Sequence, residues 1–158
     1  MASETVRSLI LPALGTLGTG FVAIVSIVDV GTARARYKVK APATEPSPDT
    51  SEEDKQAWAR AYRQYMNLIE WTAISQPIFW VSALVTREAF GPNSKPFKAV
   101  TYASAIWPIA RLGYGKAYQK SAEARGSYFG IQSLCVLTAL LVGAVSAGKI
   151  ARQEFSKK

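Results

Sequence analysis

Ser127-Tyr-Phe-Gly-Ile-Gln-Ser-Leu-Cys-Val-Leu-Thr-Ala-Leu-Leu-Val-Gly-Ala-Val-Ser-Ala-Gly148 runs for 22 residues without a charge. At about 1.5 Å per residue, a helix of that length crosses a hydrocarbon core of about 30 Å. A second block of 22 residues, Leu9 to Val30, carries a single charge, Asp29, at its far end. Between these two lie a pair of weaker blocks. One enters through Tyr62, Arg63, Asn67 and Glu70 into the apolar run Trp71 to Thr86; the other is apolar in its first half and is later interrupted by Arg111 and Lys116. The spans are therefore expected at about 9–30, 58–86, 97–119 and 127–148, with a polar segment over 31–57. The fold class that follows is an all-α, integral membrane four-helix bundle, read as one domain over residues 1–158 with both termini on the same side of the bilayer.

Composition agrees with this reading. Hydrophobic residues make up 49% of the 158, gathered into blocks instead of amphipathic stripes, which is how a chain reads when lipid is its solvent. The net charge of +8 comes from Lys and Arg placed between and at the ends of the apolar blocks, not along one groove, and this distribution argues against nucleic acid as a partner. Anionic lipid headgroups and acidic ligands suit the same flanks. With one cysteine, Cys135, and no histidine, the chain has no Cys/His metal site, no internal disulfide and no Ser-His or Cys-His dyad. Residues 1–8 mix Glu4 with Arg7 and precede an apolar run too long for a cleaved signal, so that run is read as a retained span.

Local signals place the breaks. The basic cluster Arg34, Arg36, Lys38 and Lys40 leads into a proline-containing acidic stretch, and helix is expected to resume near Ser51 or Asp54, where Ser, Glu and Asp suit a first turn. Gly91, Pro92 and Asn93 break the next connection. In the first span Gly15, Gly18 and Gly20 permit close helix approach in lipid, and Ala139, Gly143 and Ala147 form a small-residue face in the last. Lys and Arg divide almost evenly between the two membrane faces and do not set an orientation.

Charged groups inside apolar blocks are costly and usually face a bundle interior or a site. Arg63, Asn67 and Glu70 stand at i, i+4 and i+7 on one helical face; Arg111, Tyr114 and Tyr118 stand at i, i+3 and i+7 on another, and Arg125 lies at the head of the last span. Arg forks carboxylates, Glu accepts an ammonium, Asn offers a donor and an acceptor, and Tyr supplies a hydroxyl, a set that fits a zwitterionic peptide-like ligand with more than one carboxylate. A nearby Arg would also favour a thiolate. From the residues alone the stripes equally suit interhelical ion pairs, the tyrosines an aromatic belt, and Cys135 simple packing.

The stretch Arg63-Gln-Tyr-Met-Asn67-Leu-Ile-Glu70 matches the Arg-x-x-x-Asn-x-x-Glu signature of the membrane-associated proteins in eicosanoid and glutathione metabolism. Residues 110–125 resemble the third-helix segment and following loop of that family's microsomal glutathione transferase and leukotriene C synthase branch, and residues 33–39 resemble the basic stretch after its first span. Residue by residue, the resemblance implies that Arg63, Asn67 and Glu70 bind glutathione with help from Arg34, Tyr114 and Tyr118. Arg111, on the same stripe as the tyrosines, joins this binding group. Arg125 falls where the family's catalytic arginine stabilises the glutathione thiolate. The resemblance further implies a homotrimer, glutathione as co-substrate, a lipophilic second substrate arriving from the bilayer, and a location in the endoplasmic reticulum, nuclear envelope or another organelle membrane. Glutathione transfer, with peroxidase or leukotriene C synthase-type activity, is the expected function; a noncatalytic lipid-presenting or structural subunit is the rival, against which Arg63, Asn67, Glu70 and Arg125 together speak. In the family a proline often follows the Glu within a few residues; here position 73 is Ala and the first proline is Pro77, and the loop before the second span is longer.

Overall fold

The computed structural model describes residues 3–157, and among them all regular structure is helical. A short α1 (Glu4–Ser8) leads into α2 (Ile10–Arg36), α3 (Glu52–Phe90), α4 (Lys95–Lys120) and α5 (Gly126–Phe155). Serine hydroxyls begin three of the helices: Ser3 accepts from the Val6 N–H, Ser51 from the Asp54 N–H at 3.2 Å and Ser94 from the Phe97 N–H at 3.3 Å. Gly91 ends α3 at a φ of 85°, a conformation that costs glycine little.

The helices outrun the apolar blocks. Residues 31–36 and 52–57, read from sequence as part of a polar segment, are helical. Arg34 and Arg36 suit the negative end of α2, and Glu52, Glu53 and Asp54 the positive end of α3. The loop that remains is fastened to the bundle. Arg34 donates from Nη1 to the carbonyls of Val39 (3.3 Å) and Ala43 (3.0 Å), its guanidinium lies 5.5 Å over the Trp58 ring, and the Trp58 indole N–H donates to the Thr44 carbonyl at 2.9 Å.

Helix α4 packs against α2, α3 and α5, whereas α2 and α5 do not pack on each other among the described residues. The bundle is thus built around the α3–α4 pair, and α4 departs from the expected four hydrophobic spans. Helices α2, α3 and α5 are long and apolar enough to cross a membrane, while α4, at 26 residues, is long enough but less apolar. Its polar side chains Thr101, Ser104 and Arg111 face the interior.

Burial follows the logic of a lipid solvent. Large apolar side chains lie outside, as with Ile109 at 72% exposure and Leu134 at 65%, and small polar ones such as Ser26, Ser75, Ser82, Thr86 and Ser146 lie inside. Interhelical hydrogen bonds join some of these and their neighbours: Gln64 Nε2 to Ser26 Oγ at 2.8 Å, Thr86 with Ser146 at 2.9 Å, and a ladder in which Trp80 and Gln76 meet Thr16 and Thr19. Such bonds contribute about 0.6 kcal/mol each on average in a bilayer. Asp29, the lone charge of the first span, accepts from Lys116 Nζ at 3.0 Å and Gln119 Nε2 at 2.9 Å, locking α2 to α4.

Glycine makes the closest approaches. Gly15 lies against the backbone carbonyl of Ser104, and a Cβ on Gly18 would meet Pro108 Cγ at 3.1 Å; Gly20 faces open space. Pro108 has no N–H for the Ser104 carbonyl, so that carbonyl is stripped of its usual helical donor where α2 comes nearest. Of the small-residue face on α5, Ala139 and Gly143 are buried, Gly143 directly against Ser82, but Ala147 is exposed and Ser146 takes its place. A repeat of four drifts off a period of 3.6 within two turns.

Two outcomes follow for stability. Gly15→Ala forces a Cβ into backbone that cannot rotate away and should lower stability in detergent melts by about 1–3 kcal/mol, while Gly20→Ala should be neutral or raise it by up to about 1 kcal/mol; equal effects would contradict the close α2–α4 contact. Arg34→Ala should speed tryptic cutting at Lys38 and Lys40 with little change in the melting of the bundle, because it releases only the loop.

Candidate functional site

At the end of the bundle where α2 and α4 finish and α5 begins, three elements converge. Helix α3 supplies Asn67 and Trp71, α4 supplies Arg111, Tyr114 and Tyr118, and Arg125, the residue before α5, opens that helix, followed by Phe129 and Gln132. Asn67, Trp71, Tyr114, Ala122, Arg125, Gly126 and Phe129 line a cavity of about 320 Å³.

Arg111 is 2% exposed. Its Nη1 donates to Gln132 Oε1 at 3.0 Å, its Nη2 reaches Asn67 Oδ1 at 3.5 Å, and its guanidinium carbon lies 4.5 Å over the Tyr114 ring. All of these partners are neutral, and none of the ion pairs among the described residues includes Arg111. Taking a charge out of water costs several kcal/mol per ion even after relaxation, and two amide oxygens and a ring face offset only part of it. Gln132, 0% exposed, is bound only through its oxygen: its Nε2 has no partner among the described residues, at a cost of about 1–3 kcal/mol.

Arg125 is half-buried. Its Nη1 donates to the Tyr114 hydroxyl at 3.4 Å, and its guanidinium carbon stands 4.4 Å over the Tyr118 ring. The Tyr114 and Tyr118 rings are 5.8 Å apart, so two guanidiniums and two tyrosines interleave along one turn of α4 and the head of α5. Cation–π contacts of this kind hold an arginine without consuming its charge. The α5 backbone adds the positive end of a 30-residue helix beside Arg125. The α4–α5 turn is ordered by Ser121, whose Oγ accepts from the Ala124 N–H at 3.2 Å. Hydrogen bonds from its own backbone N–H and from Ser121 hold the exposed Glu123 carboxyl below the usual carboxylate range. Trp71 and Phe129, edge to face at 6.3 Å, supply the apolar side of the cavity.

The bundle gathers Asn67, Arg111, Tyr114, Tyr118 and Arg125 and leaves three other expected residues outside. Arg63 is exposed and lines a separate surface cleft of about 590 Å³ with Trp58, Tyr62, Met66 and the loop at Thr44–Pro48. Glu70 is exposed on the outer face of α3, and Arg34 is engaged with loop carbonyls. Arg63, Asn67 and Glu70 share one helical face, but that face lies at the edge of the bundle and only Asn67 turns inward. Gln132 escaped the sequence reading. The signal was a carboxamide in an uncharged span, a group that lipid penalises much as it does a charge.

Comparison with known proteins places this geometry in a family. The sequence model of the MAPEG family, the membrane-associated proteins in eicosanoid and glutathione metabolism, matches residues 12–145. An uncharacterised protein from Synechocystis sp. is 31% identical over 144 residues, covering 89% of this chain and 90% of its own length. The match spans all four long helices and both sides of the cavity, and the chain belongs to the MAPEG family.

Proposed function

We propose that this chain binds glutathione as co-substrate and joins its thiolate to lipophilic electrophiles that arrive from the bilayer. The observation that carries the reading is Arg125 on the wall of one small cavity with the enclosed Arg111 behind it, Tyr114 touching both and no ion pair to either among the described residues. A polyanionic peptide fits an excess of positive charge, and Asn67 and the Tyr114 hydroxyl add a neutral acceptor and donor. Family membership supports glutathione as the peptide.

In the reaction, the Arg125 guanidinium stabilises the sulfur anion. The sulfur forms a bond to the electrophilic carbon as the leaving group departs with its electron pair, or as an epoxide C–O bond opens and its oxygen takes a proton from water. Trp71 and Phe129 form the apolar wall for the acceptor, for which an eicosanoid epoxide and a xenobiotic are equally suited in chemical class. The same thiolate suits reduction of a lipid hydroperoxide, a second glutathione completing the disulfide.

The proposal extends to assembly and place. Glu70 stands exposed between Ile69 and Trp71, and a carboxylate on a lipid-facing helix is costly unless something covers it. A neighbouring subunit of a homotrimer would cover it and bring Arg34, Arg63 and Glu70 of adjacent copies toward one glutathione. Three apolar helices make this an integral membrane protein; the endoplasmic reticulum or nuclear envelope is the membrane the resemblance favours.

The test is ultraviolet difference absorbance on adding glutathione to the purified protein in detergent. Free thiols ionise near pH 8.5, and a site that lowers this by about one unit, worth about 1.4 kcal/mol, gives a thiolate signal near neutral pH. Arg125→Ala should abolish the signal and lower kcat for a model electrophile by about 100-fold. Absence of signal in the wild type, with Arg125→Ala indistinguishable from it, would overturn the proposal. Binding without ionisation or turnover would favour a lipid-presenting or structural subunit.

A further inference from the structure

The bond between Arg111 and Gln132 poses a chemical question: why a glutamine meets this arginine. A guanidinium has donors only, so the carboxamide must present its oxygen, as it does at 3.0 Å. A glutamate of the same shape would make a stronger bond and would relieve the burial of an unpaired charge. It would also neutralise the arginine. Other elements around the guanidinium hold the charge without cancelling it: Asn67 from α3 and Tyr114 from α4 are neutral, and Arg125 at the head of α5 is itself a cation. Glu70 on α3 is exposed, and it makes no ion pair with Arg111 among the described residues. Tyr118 faces Arg125. Helix α2 places its carboxylate, Asp29, on Lys116 and Gln119 instead.

We propose that Gln132 is a positioning residue of this site: its carboxamide oxygen fixes the Arg111 guanidinium among α3, α4 and α5 while leaving the positive charge free for an anionic ligand. Its unpartnered Nε2 then adds a second donor in the same buried neighbourhood. The inference rests on the glutathione reading and extends it to a residue outside the cavity lining, acting through Arg111 and not on the sulfur itself.

Two shape-preserving variants separate positioning from packing. Gln132→Glu keeps the geometry and pairs the charge, so detergent melts should show stability equal to or above wild type. The Kd for glutathione should nevertheless rise at least about tenfold, and the pH midpoint of the thiolate signal should move up by about one unit. Gln132→Met keeps the volume and removes the acceptor; it should raise KM for glutathione more than it lowers kcat. In an Arg111→Met background, Gln132→Met should add nothing further, because a residue acting through Arg111 is silent without it.

Folded Gln132→Glu and Gln132→Met proteins with wild-type Kd and pH midpoint would overturn the inference, as would effects that add in full to those of Arg111→Met. A wild-type protein that never ionises glutathione would remove the glutathione reading and this inference with it. A wild-type signal with unaltered variants removes this inference alone.

Discussion

A guanidinium sealed between three helices sets the terms for the rest of the bundle. Arg111 is buried, reached by two carboxamide oxygens and one aromatic face, and free of any ion pair among the described residues. Lipid cannot solvate such a group, so α4 must lie where other helices enclose it. That requirement accounts for the layout, with α4 against α2, α3 and α5; among the described residues α4 is the long helix that lacks the apolar run the other three carry. It also leaves a positive charge stored beside a cavity, and stored charge is what an anion site needs.

The remaining helices solve a different problem. In a bilayer, apolar side chains gain little by leaving the surface, so cohesion comes from close packing and from polar bonds in the interior. Gly15 against the Ser104 carbonyl and Gly143 against Ser82 provide the first. Ser26 with Gln64, Thr86 with Ser146, and Asp29 with Lys116 provide the second. The polar end of the bundle is finished by Arg34, which secures a loop where the family resemblance implied contact with a ligand. Within a single chain those two roles compete for the same donors.

Cations, aromatics and amides are sorted along the site by depth. Arg111 and Gln132 lie fully enclosed, Tyr114 joins them to Arg125, and Arg125 stands half-buried at the cavity with Trp71 and Phe129 across from it. Inner groups hold charge, and outer groups line the cavity. MAPEG membership gives this arrangement its family, and the chemistry of the donor set gives it a direction.

Much of this was legible in the residues. Two uncharged or nearly uncharged runs of 22 residues require a membrane, because only lipid makes such lengths useful, and Ser51 with its acidic neighbours announces the start of α3. Asn67, Arg111, Tyr114, Tyr118 and Arg125 were named together with Arg34, Arg63 and Glu70, because charge and hydroxyls at helical spacing are costly to place idly in apolar blocks and because the family resemblance joined the stripes. Spacing along one helix, however, says nothing about which helix it will face. That Arg63 and Glu70 stand outside while Asn67 turns in, that Arg34 is drawn to loop carbonyls, and that Gln132, 21 residues along the chain on the next helix, supplies the shortest bond to Arg111 were decided only when the helices closed on one another. Period and hydropathy are properties of one segment in its solvent; partnership belongs to the packed bundle, where a side chain's fate depends on what the neighbouring helix places opposite it.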